Sequence, residues 1–137
     1  MAAHYLVFHG AIILLFGLLL GAPYARAIKK SAPAQIVNSW RVAHLSLPIG
    51  ATLMFAIAAT LPILSISVYF TWIIAGAFIV SAYGFCVSTP LAAITGQRGL
   101  SSGGRGLGKI VYLGNMIGAL ASIVGAVALL IAAYLSL

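Results

Sequence analysis

The 137-residue sequence contains no aspartate and no glutamate, and only seven lysines and arginines. Carboxylate chemistry is thereby excluded. Paired acids for glycoside cleavage, acidic cages for calcium or magnesium and Ser/His/Asp triads all need groups this chain lacks. A proton-coupled antiporter built on an intramembrane acid is disfavoured for the same reason. The lone cysteine, Cys86, permits no intrachain disulfide and no Cys-x-x-Cys-His attachment of a c-type haem, so any haem must be held non-covalently. Charged residues make up 5% of the chain, against about a quarter in a soluble domain. Hydrophobic residues make up 64%, with a mean hydropathy of +1.20. Such a surface is not clothed for water, and its solvent is a bilayer.

Four segments are long enough to cross hydrocarbon about 30 Å thick, which takes about 20 residues. They run approximately from Tyr5 to Ala22, Arg41 to Ser65, Val68 to Ser88 and Ile110 to Tyr134. The fold expected is a single all-α domain over residues 1–137, an integral membrane four-helix bundle. Only Ser65-Ile66-Ser67 separates the second span from the third, so these two form a tight antiparallel pair. The other linkers, residues 23–40 and 89–109, carry the charge: Arg26, Lys29, Lys30 and Arg41 flank the first, and Arg98, Arg105 and Lys109 the second. The positive-inside rule places both linkers in the cytoplasm and both termini outside, as in a multi-pass membrane protein. Cations that frame membrane spans suit anionic headgroups or an acidic cofactor tail, and a nucleic-acid partner is not expected.

The second span holds the most informative residues. Trp40, His44 and Pro48 recur every four positions and share a helix face. Pro48 has no amide hydrogen for the His44 carbonyl, which favours a kink. An ionisable residue about a turn inside the membrane is costly, and histidine is the commonest ligand of transition metals and haem iron, so His44 is a candidate ligand. The alternative is a histidine snorkelling to the interface. A two-histidine site with His9 is disfavoured, because His9 lies towards the opposite membrane face. His9-Gly10 then reads as an interfacial or packing feature, and Cys86 as a small buried hydrophobe. Tyr83 and Asn115 are polar groups in apolar surroundings that need partners, either a substrate oxygen or a neighbouring helix. Gly114, Gly118, Ser122 and Gly125 form a small-residue stripe suited to close helix packing. The glycine-rich stretch from Arg98 to Gly106 lacks the Gly-Lys-Ser/Thr ending of a nucleotide loop.

Trp40-Arg41-Val42-Ala43-His44 resembles the Trp-x-x-Ala-His block of the styrene oxide isomerases, small four-helix membrane proteins of bacterial styrene degradation. The similarity continues to Leu61-Pro62 and extends more weakly to His9-Gly10, Gly84-Phe85 and Arg98-Gly99-Leu100. The resemblance implies a haem b protein that assembles as a homotrimer, with haem between neighbouring protomers. His44 would be the axial ligand and metal-binding residue, Trp40 would share the haem face, and Arg41 would meet the propionates. It further implies that ferric iron serves as a Lewis acid towards a small hydrophobic epoxide, which becomes an aldehyde by a 1,2-hydride shift. That scheme needs neither a carboxylate nor a redox partner. Two positions depart from the family: its Asn six residues past the histidine falls on Gly50, and its Tyr after Gly-Phe falls on Cys86. Tyr83, a turn before Cys86, is then the leading candidate to assist catalysis, with Asn115 second. The competing function is a non-enzymatic haem-binding membrane subunit or sensor. A channel or carrier is disfavoured by the lack of intramembrane charges lining a path.

Overall fold

The computed structural model describes residues 1–101 and 106–137. Arg105 and the centre of the glycine-rich linker lie outside the described residues. Five α-helices follow in order, with no strand among the described residues: α1 Ala2–Leu19, α2 Gly21–Lys29, α3 Ala34–Thr60, α4 Val68–Thr95 and α5 Leu107–Leu135. A short 3-10 turn, Leu61–Ile63, closes α3. Because α1 and α2 form one run interrupted only at Leu20, four helical runs are long and apolar enough to cross a membrane. The secondary structure of the described residues is therefore all-helical, as expected.

Helices and apolar runs do not end together. The segment expected to be a linker from residue 23 is helical to Lys29, and α3 resumes at Ala34. Likewise α4 continues through Pro90 to Thr95, and α5 begins at Leu107. Hydropathy marks where lipid is tolerated, whereas the helix persists wherever peptide groups still need partners.

Prolines and glycines set the breaks. Pro23 has no N–H for the Leu19 carbonyl and its ring crowds that oxygen. The α1 run is interrupted one residue later, at Leu20. By contrast α3 runs unbroken through Pro48. Helix α4 starts where the Ser67 side chain accepts the Phe70 N–H at 3.3 Å. It stops at Gly96, whose left-handed backbone, φ 69°, suits a residue without Cβ.

The spans alternate in direction. At one end the Gln35 side-chain amide donates to the Gly96 carbonyl at 2.6 Å, joining the start of α3 to the end of α4. At the other, the Ser65 N–H donates to the Ser136 hydroxyl at 2.9 Å, joining the α3–α4 turn to the end of α5. The described cations, Arg26, Lys29, Lys30, Arg41, Arg98 and Lys109, therefore gather at the first of these ends.

Small residues govern the closest packing. A methyl group at Gly84 would come within 2.9 Å of the Gly114 carbonyl oxygen, and one at Gly118 within 3.0 Å of the Phe85 ring. Helices α4 and α5 thus approach nearly backbone to backbone, the arrangement by which membrane helices gain dispersion contacts without a hydrophobic effect. The Ser81 hydroxyl, buried in this seam, donates to the Gly118 carbonyl at 2.8 Å. The outward faces are apolar and exposed, with Ile49 69% and Leu130 70% accessible, which is consistent with a lipid environment.

Candidate functional site

His44 is half-buried on α3, on the side facing the end of α1 and the start of α2. Its Nδ1 lies 2.9 Å from the Gly17 carbonyl oxygen. A carbonyl only accepts, so Nδ1 carries the hydrogen, and the neutral ring keeps its lone pair on Nε2. Gly17 stands in the last turn of α1, where carbonyls run out of helical donors, and His44 supplies one. The approach requires glycines. A methyl group at Gly17 would lie 2.5 Å from Pro48 Cδ, and one at Gly21 3.1 Å from His44 Cε1. The Tyr24 ring stacks over His44 with centroids 6.1 Å apart. Trp40 packs on the core one turn earlier, and Arg41 is exposed at the basic end.

This is how an imidazole that binds metal is usually held, with one nitrogen fixed by a carbonyl and the other available. Among the described residues there is no group of three or more His, Cys, Asp or Glu able to cage an ion. The donor set is a single imidazole, which fits haem, whose porphyrin would supply the other nitrogen ligands.

The other polar candidates lie elsewhere. Tyr83 Oη is 2.9 Å from His9 Nδ1, linking α4 to α1, and the two rings meet edge to face at 81°. Tyr83 also lines an apolar groove of about 440 Å³ between α4 and α5, with Gly84, Val87 and Leu113. The α1 anchors of the two sites, His9 and Gly17, are eight residues apart, or about 12 Å along a helix. The structure therefore does not bring His9 to His44; each histidine has its own partner.

Asn115 on α5 donates its Nδ2 to the Arg98 carbonyl at 3.2 Å. It borders a chamber of about 430 Å³ between α3, α4 and α5, whose wall includes Gly50, Ser46 and Phe85. Nothing lies within 4 Å of a Cβ built at Gly50. Cys86 is a free, half-buried thiol packed against the core. Within one chain, His44, Tyr83 and Asn115 thus occupy three separate places.

Sequence reasoning passed over Gly17, Gly21 and the His9–Tyr83 bond. The four-residue spacing of Gly17 and Gly21 was the available signal for close approach. No signal in the sequence pairs His9 with a residue 74 positions away.

No curated protein matches the chain. A profile of the styrene oxide isomerases matches residues 2–134, taking in all four spans and His44. The resemblance carried by Trp40 to His44 thus extends over nearly the whole length, and the chain belongs to the styrene oxide isomerase family.

Proposed function

We propose that the protein is a haem b-dependent membrane isomerase that converts a small hydrophobic epoxide to an aldehyde by a 1,2-hydride shift. Family membership supports an isomerase of this type. The observation that carries the haem reading is the Nδ1–H of His44 held by the Gly17 carbonyl, which leaves Nε2 as the free donor. Haem, when bound, supplies ferric iron as a Lewis acid for the epoxide oxygen.

The chain's own residues do the rest. His44 would hold the group through Nε2, with Trp40 on the same helix face and Arg41 as a cation for its propionates. Apolar helices keep water from the reacting carbon, so a cationic centre lives long enough for hydride to migrate. No carboxylate side chain is present to trap it or to protonate the oxygen. The Tyr83 hydroxyl, when it accepts from the Nδ1–H of His9, keeps its own hydrogen free to donate to the substrate oxygen as charge develops there.

His44 and Tyr83 lie in separate places within one chain, so a site using both is completed between copies. A homotrimer with haem at the subunit contact meets that requirement. The basic end faces the cytoplasm of a bacterial inner membrane, with both termini outside.

The test is turnover of styrene oxide to phenylacetaldehyde by ferric, haem-replete protein in membranes without added reductant. Dithionite should suppress it, since ferrous iron is the weaker Lewis acid. Absence of a Soret band would overturn the haem reading. A Soret band without turnover of any aryl epoxide would favour a haem-binding subunit or sensor instead. The bare Gly50 and the Cys86 thiol, standing where the family has Asn and Tyr, suit that second reading.

A further inference from the structure

We propose that Tyr24 is a positioning residue for the His44 imidazole, its ring fixing the plane in which Nε2 is presented; the inference rests on the haem reading above. Gly17, Gly21 and Tyr24 follow one another at spacings of four and three residues, which places them within about 60° of one another around a helix. Leu20 does not break that register, because its N–H donates to the Phe16 carbonyl and its carbonyl accepts the Tyr24 N–H, both at 3.2 Å. One face of the α1–α2 run therefore carries two residues without side chains and then a large aromatic ring.

His44 fills the gap that the glycines leave. The Gly17 carbonyl accepts its Nδ1–H at 2.9 Å. A methyl group at Gly21 would stand 3.1 Å from Cε1, 3.4 Å from Nδ1 and 3.5 Å from Nε2, so Gly21 borders the edge of the ring that carries both nitrogens. Tyr24, half-buried on α2, covers a face, with ring centroids 6.1 Å apart and planes inclined by 30°. Aromatic rings attract at centroid separations of about 4.5–7 Å.

These contacts restrain different motions. The hydrogen bond pins Nδ1 at one point and leaves the plane of the ring free to turn about it. A flat ring along one face opposes that turn. Groups that orient a metal-ligating histidine in this way are worth roughly 10- to 100-fold in metal affinity. The contact is made by the ring of Tyr24 and not by its hydroxyl, so phenylalanine should replace it, whereas leucine keeps an apolar side chain on α2 and loses the flat face.

The test measures how fast haem leaves the full chain in nanodiscs for an excess of apomyoglobin, together with the ferric EPR spectrum of the same samples. Tyr24→Leu should speed haem loss by about 10- to 100-fold and split the EPR signal into overlapping species, one for each plane the imidazole adopts. Tyr24→Phe should match the parent in both. Tyr24→Met serves if Tyr24→Leu does not fold. Ile28→Ala, at a position of α2 that is 51% exposed, should leave both readouts unchanged. A third readout needs no haem: solid-state NMR of the haem-free chain with ¹⁵N-labelled histidine, the His44 signal being the one lost in His44→Ala. One narrow Nδ1–H resonance is expected in the parent and in Tyr24→Phe, and several in Tyr24→Leu.

Haem loss and EPR spectrum like the parent's in Tyr24→Leu would overturn the proposal. Faster haem loss with an unchanged spectrum would reduce Tyr24 to a packing residue and overturn it too. A defect in Tyr24→Phe equal to that in Tyr24→Leu would move the effect to the hydroxyl, with the same consequence. Absence of a Soret band in the parent would end the haem reading and leave the NMR comparison to decide Tyr24: a single narrow His44 resonance in Tyr24→Leu would overturn its role, and several would uphold it.

Discussion

Gly17 meets His44 in two ways: its carbonyl oxygen takes the Nδ1–H at 2.9 Å, and its missing side chain lets the α3 face bearing His44 and Pro48 come close enough for that bond. One residue of α1 thus fixes the tautomer of the imidazole and its distance from the neighbouring helix. Gly17→Ala would drive a methyl group to 2.5 Å from Pro48 Cδ and 2.9 Å from Leu47 Cβ. Overpacking of this kind costs about 1–3 kcal/mol. The expected outcome is a lower melting temperature in detergent together with less haem per chain, read from the Soret band against total protein.

His44→Ala should abolish the Soret absorbance while the protein stays in the membrane, because the four spans owe nothing to this side chain for their hydropathy. Full haem retention in that variant would remove His44 as the ligand. Absorption spectroscopy of purified material decides it.

Tyr83→Phe deletes a hydroxyl and leaves the ring. Loss of one oriented donor at a developing oxyanion lowers turnover by roughly 10²–10³-fold. Haem content should not change, since Tyr83 bonds to His9 and makes no hydrogen bond to His44. Steady-state rates alongside Soret intensity separate the two effects.

Ser88 is fully buried against α5, and its hydroxyl has no hydrogen-bond partner among the described residues. A buried unsatisfied polar group costs about 1–3 kcal/mol. Ser88→Ala should therefore leave thermal stability unchanged or raise it, whereas Ser81→Ala, which removes the hydroxyl bond from α4 to the Gly118 carbonyl of α5, should lower it. The Gly118 carbonyl keeps its partner within α5 in that variant, so what is lost is the hydroxyl bond joining α4 to α5, and parallel melting curves in one detergent test the contrast.

Orientation can be read by labelling in a Cys86→Ala background. An impermeant maleimide added to intact spheroplasts should modify a cysteine placed at Leu137 and spare one placed at Ser101. The opposite pattern would show that the basic end faces outward.

The spans were legible because lipid imposes a length, and an apolar run of about 20 residues matches the hydrocarbon thickness. Helix ends were not, since α2 continues through Arg26 to Lys29 on backbone hydrogen bonding that hydropathy does not measure. His44 and Pro48 stood out through spacing and cost, and the block around them carried the family. Their partner Gly17 did not stand out, because helix periodicity says which residues share a face and nothing about which helix lies opposite. Tyr83 was marked as a polar group needing a partner, yet the choice of His9 is made by tertiary packing alone. Asn115 was marked too, and its place beside Arg98 depends on how the α4–α5 linker folds back.

The gathering of the described cations at one end has a consequence for assembly. With no acidic side chain anywhere, each copy brings an uncompensated positive rim, and copies packed side by side place those rims against one another. The repulsion has to be neutralised by anions the side chains do not supply, and phosphates of annular lipids stand at the right depth. For the homotrimer proposed above, lipid composition would then be a component of the assembly: thorough delipidation or low ionic strength should favour the monomer, and a few anionic lipids per chain should restore association.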